Sequence, residues 1–117
     1  MSVMVSIFKH TASQNLASAA LSTTSTSSTK PETSKLVAVM LHASAAITET
    51  VEVVYDSGTG ANYDTVLDSQ GLVAATDYFF QPAHPLLVDS TDQIKITCTN
   101  NNTTGTVYVT AIFEEIR

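Results

Sequence analysis

Lysine and arginine are scarce in this 117-residue chain: Lys9, Lys30, Lys35, Lys95 and Arg117 lie far apart, against eleven Asp and Glu. A phosphate-binding groove needs clustered cations, so the formal charge of -6 argues against nucleic acid as a partner. A single cysteine, Cys98, rules out an intramolecular disulfide, and stability must come from burial and association. No His or basic residue adjoins Cys98 in sequence to lower its thiol pKa, so it reads as a small buried apolar side chain sharing a face with Ile94 and Ile96. No apolar run approaches the roughly 18 residues that span a bilayer. The start, MSVMVSIFKH, has no basic region followed by an apolar one, so the expectation is a soluble product made in the cytoplasm without a signal peptide and without a membrane partner. Tryptophan is absent and Phe plus Tyr number eight, which leaves Val, Leu, Ile and Ala to build the core.

What the chain has in abundance is serine and threonine, 31 in all, which replace charge as the source of surface polarity. Apolar residues make up 44%, enough for one core at this length. Period-2 alternation with β-branched residues dominates, and no window of helical length keeps a 3.6-residue stripe. The pattern predicts strands at Val3 to Phe8, Lys35 to His42, Thr50 to Tyr55, Tyr63 to Ser69, Thr76 to Gln81, Leu86 to Val88, Ser90 to Cys98 and Thr106 to Glu115, with a weaker one at Gln14 to Leu21. The last two confident strands are expected to form a hairpin around Asn100 to Gly105. Such spacing predicts an all-β fold, an antiparallel two-sheet β-sandwich of jelly-roll or Greek-key type, in a single domain spanning 1–117. Ser22 to Ser34 is too polar to bury a face and contains Pro31, so it is expected to be an exposed loop or arm. Lys35 to His42, apolar on both faces, is expected to be covered by the core on one side and by another subunit on the other.

No constellation of catalytic residues emerges, and neither an enzyme activity nor a cofactor is expected. No Gly-x-Ser-x-Gly elbow is present. His10, His42 and His84 form no metal-ligand spacing. Asp56, Asp64 and Asp68 surround a glycine turn and invite a calcium reading. The register does not fit an EF-hand: Gly58 and Gly60 stand where ligands belong and Leu67 is the twelfth residue, so an acidic turn is the better reading. The aromatic cluster Tyr78, Phe79 and Phe80 places Phe79 opposite the other two, so one side fills the core and the other can meet a partner. Interface candidates are therefore Tyr78, Phe79 and Phe80, with Val37, Val39 and Leu41 from the doubly apolar strand.

Five runs, Ile7 to Ser13, Lys35 to Ala46, Tyr55 to Leu67, Asp77 to Pro82 and Thr99-Asn-Asn-Asn, together resemble small β-sandwich virion proteins of tailed bacteriophages, in particular capsid decoration, or cement, proteins. The resemblance implies a homo-oligomer, a trimer, bound to the major capsid protein on the outer surface of the phage head, where it stabilises junctions between capsid subunits. A head fibre or tail role is compatible with the same strand and turn patterns. The alternative from another class is a carbohydrate- or receptor-binding β-sandwich module, for which Tyr55, Tyr63, Tyr78 and His84 are the candidates.

Overall fold

β-branched residues and alternating polarity produce nine strands in the computed structural model, which describes residues 6–25 and 33–115. They are β1 (Ile7–Asn15), β2 (Leu21–Thr24), β3 (Ser34–Ile47), β4 (Thr50–Asp56), β5 (Thr65–Gly71), β6 (Ala75–Phe80), β7 (Leu86–Val88), β8 (Gln93–Cys98) and β9 (Thr106–Glu115). One short 3-10 turn, Ala61–Tyr63, precedes β5.

Two antiparallel sheets pack face to face. The first runs β1-β9-β3-β6, with β7 pairing the start of β3, and the second runs β2-β8-β4-β5. The chain crosses between sheets at most connections, and each sheet interleaves early and late strands. This is the jelly-roll form of the expected sandwich. Inward positions alternate as the pleat requires. Val107, Val109, Ala111 and Phe113 of β9 meet Ile94, Ile96 and Cys98 of β8 and Val51 and Val53 of β4, all within one buried cluster. The core is aliphatic, as the aromatic-poor composition implied.

Four expectations change. The segment after β8 is not a hairpin: β8 pairs β2 and β4, β9 pairs β1 and β3, and residues 99–105 turn a corner from one sheet to the other. The expected Gln14 to Leu21 strand is instead the end of β1, a turn at 16–18 and the first residue of β2. Residues 22–24 of the expected polar arm belong to β2, whose backbone pairs β8. Ser25 is then buried, its hydroxyl accepting from the Ile94 amide at 2.9 Å. Cohesion there comes from backbone and hydroxyl groups rather than apolar side chains. Residues 26–32 of that arm, and 3–5 of the expected first strand, lie outside the described residues.

The fourth concerns β3, whose run reads as apolar on both faces for a different reason. The register slips between Leu36, opposite Phe113, and Ala38, opposite Ile112, so Val37 is an extra residue. Such a bulge reverses the inward parity. Leu36 points into the core before it, and Val39 and Leu41 after it. No second covering layer is needed to bury them.

A sandwich has two open sides, and a polar clasp closes each. At one, His10 of β1 meets the Thr23 hydroxyl of β2 at 2.7 Å. At the other, the Tyr78 hydroxyl of β6 donates to Asp68 of β5 at 2.5 Å.

Candidate functional site

Three strands that are far apart in sequence build the most distinctive surface. On the outer face of the first sheet, Met40 of β3 is opposite Phe79 of β6 and Thr110 of β9. Two residues along, His42 is opposite Asp77 of β6 and Tyr108 of β9. Their outward direction follows from strand alternation: the neighbours Val39, Leu41, Tyr78, Val107 and Val109 are all buried. Phe79 is 58% exposed and Tyr108 50% exposed, unusual for aromatic side chains on a sheet face. Between them runs an open groove of about 550 Å³.

The groove holds one His–Asp hydrogen bond. His42 Nδ1 and Asp77 Oδ1 are 2.9 Å apart, and both side chains are largely exposed. The hydrogen bonds from His42 and from the Thr76 hydroxyl hold the Asp77 carboxyl below its ordinary range. On the other side of Tyr108 the surface continues as a second groove of about 450 Å³ beside Thr11 and Ser13 of β1. Tyr108 thus stands as a ridge between two shallow depressions, one apolar with a hydrogen-bonded His–Asp pair, the other hydroxyl-lined.

A second surface lies on the other sheet. β5 terminates that sheet, bonded to β4 on one side only, and most of its residues are exposed. Tyr63, Val66 and Val73, three of the exposed large apolar residues, fall in or beside it. A strand of this kind offers a row of unpaired backbone groups to another chain.

The residues singled out from sequence separate into three groups. Phe79 is exposed as the alternation required; Phe80 and Val37 are half-buried; Tyr78, Val39 and Leu41 are core residues. Burial between the sheets removes these last three from any surface contact. Asp64 and Asp68 are each committed to a structural hydrogen bond, Asp64 capping the Ser57 amide at 2.8 Å and Asp68 accepting from Tyr78. They do not gather with Asp56, and among the described residues no group of three or more His, Cys, Asp or Glu is placed to hold a metal ion.

The proposed carbohydrate residues are dispersed as well. Tyr55 donates to Asp92, and burial together with that carboxylate pushes its phenol up to about 12. Tyr78 is shifted upward by the same two causes, burial first and then Asp68. Tyr63 and His84 are exposed on separate loops. Burial, and then the charge of Glu49, raises the Cys98 thiol to about 11, which keeps it protonated and unreactive.

Sequence reading missed His42, Met40, Asp77 and Tyr108 as a group. The available signal was parity: each falls between, or next to, residues that the alternation sends inward.

The chain matches no protein-family model and no curated protein at a significant level. Its fold is similar to the crystal structure of PirA, with a TM-score of 0.50, 12% identity, and 91% of this chain and 93% of PirA covered. At that identity the likeness concerns the fold alone. No helix among the described residues is long and apolar enough to cross a membrane.

Proposed function

We propose that this chain is a structural virion protein, a capsid decoration protein that attaches to the outer surface of a phage head through the open edge of β5. The observation that carries the reading is β5 itself, an edge strand exposed along most of its length with Val66 and Val73 beside it. A strand from a neighbouring subunit can add to such an edge through main-chain hydrogen bonds, with apolar side chains fixing the register. Jelly rolls recur in viral capsid proteins, which agrees with the resemblance of the five sequence runs to decoration proteins. Copies associate as trimers and bind the major capsid protein at subunit junctions. Many modest contacts repeated over a capsid then sum to a strong attachment. The chain binds rather than catalyses in this reading, and it uses no cofactor.

Co-sedimentation with purified heads tests the attachment. Wild type should pellet with heads, and the double substitution Val66→Lys/Val73→Lys, placing cations on the exposed strand and its loop, should lower occupancy at least tenfold with unchanged thermal melting. Equal occupancy for a folded variant would remove β5 from the attachment.

A further inference from the structure

We infer that the outer face of the first sheet is a binding platform for uncharged oligosaccharides, with Phe79 and Tyr108 as its stacking rings and the His42–Asp77 pair as its hydrogen-bonding centre. The inference is independent of the decoration reading, since it concerns the sheet opposite to the one that carries β5.

Spacing is the first reason. Phe79 and Tyr108 stand on strands separated by β3, so they are about 10 Å apart across the sheet and two residues, about 7 Å, apart along it. Two aromatic rings at that separation are too far apart for adjacent sugars and suit the first and third rings of a short saccharide chain. The C–H bonds on the apolar face of a pyranose carry partial positive charge, which the negative face of an aromatic ring attracts. Between the rings Met40 gives an apolar floor, and His42 and Asp77 offer a donor and acceptor to ring hydroxyls. The neighbouring groove beyond Tyr108 presents Thr11 and Ser13, which extend the hydroxyl-binding surface toward β1.

Charge and size narrow the occupant. Asp77 is the acidic side chain that lines the groove, and the chain as a whole carries -6, so both oppose an anionic ligand. Met40, Phe79 and Tyr108 are the exposed large apolar side chains that line the groove, and Ile7 and Leu87 of the same sheet lie outside it. Its volume, about 550 Å³, falls in the range of small-ligand sites.

The test is an amide chemical-shift titration of the full chain with cellotriose, maltotriose and chitotriose, followed by an array of neutral tri- and tetrasaccharides. At least one probe should shift the amides of Met40, His42, Asp77, Phe79 and Tyr108 together and saturate at millimolar or lower concentration. Phe79→Ala and Tyr108→Ala should each weaken that binding at least tenfold, with melting temperature and head co-sedimentation unchanged. Absence of any hit across probes and array overturns the inference. So does binding that survives the double substitution, or a self-association of the wild type that Phe79→Ala abolishes, which would make the face an interface between copies. Because β5 variants and face variants are read by separate assays, failure of one proposal leaves the other standing.

Discussion

Tyr78 on β6 donates its phenolic hydrogen bond to Asp68 on β5, and through it the edge strands of the two sheets are tied across one open side of the sandwich. Tyr78 is 4% exposed and Asp68 is partly buried, so the bond lies where water replaces it poorly. Tyr78→Phe keeps the packing and deletes the donor. The expected loss is about 1.5 to 3 kcal/mol, the range for a hydrogen bond to a charged group. Urea unfolding checks it, with the midpoint falling and the slope unchanged.

Glu49 organises the corner that replaces the expected hairpin. Its carboxylate accepts from the Thr99 hydroxyl at 2.7 Å and from the backbone amides of Asn101 at 2.9 Å and Asn102 at 2.8 Å. Burial pushes its pKa upward, but these three donors outweigh burial, and the carboxyl sits below its ordinary value. Glu49→Gln would turn an amide NH2 toward a backbone N–H, which only donates, at Asn101 or Asn102. About 1 to 3 kcal/mol of stability should be lost, measured by the same unfolding assay.

Gly58 shows how closely two loops approach. A Cβ built there would lie 2.2 Å from Thr91 Oγ1 and 2.6 Å from the Thr91 carbonyl oxygen. Its amide also donates to Asp92 at 2.9 Å, and Asp92 accepts from the Asp89 amide and the Tyr55 hydroxyl as well. Gly58→Ala must therefore separate the 56–60 turn from the 89–92 loop. A destabilisation of about 1 to 3 kcal/mol is expected, as for overpacking elsewhere. Gly60→Ala meets no neighbouring atom and serves as a control for sterics, its own cost arising from a φ of +144°.

Stability should depend on pH at both ends. Burial lowers the pKa of His10 from 6.5, so the unfolded chain takes up a proton that the folded chain resists. The stability this group gives is complete above about 6.5 and declines as pH falls. Below about 4.5 the depressed carboxyl of Glu49 adds a second loss of the same sign. In alkali the sign reverses: Tyr55 holds its proton to about 12 in the fold against 10 when unfolded, so stability declines as pH rises between those values. Melting temperature against pH checks each limb, and His10→Gln should flatten the slope between pH 7 and 5.5.

The strands were legible because period 2 survives in β4, β8 and β9, where Val51/Val53, Ile94/Ile96 and Val107/Val109 alternate with polar residues. Four features were not. The Val37 bulge changes parity without changing composition, so Lys35 to His42 imitates a strand buried on both faces. β2 is held by backbone pairing to β8, and its Ser and Thr residues carry no apolar signal. Asn100 to Gly105 has turn residues that serve a hairpin or a corner equally; its positive φ values fall at Thr103 and Gly105 rather than at the asparagines, two of which bond side-chain amides to carbonyl groups of residues 16 and 48. The aromatic face needed the register of β3 against both β6 and β9, which local periodicity does not contain.

Image reconstruction of phage heads, purified without the protein and then incubated with it, tests the account most directly. The expected result is jelly-roll density in trimers at capsid subunit junctions, with β5 against the major capsid protein and the face bearing Phe79 and Tyr108 turned to solvent. Heads that remain bare at saturating protein, or density that seats the Phe79–Tyr108 face on the capsid with β5 free, would contradict it.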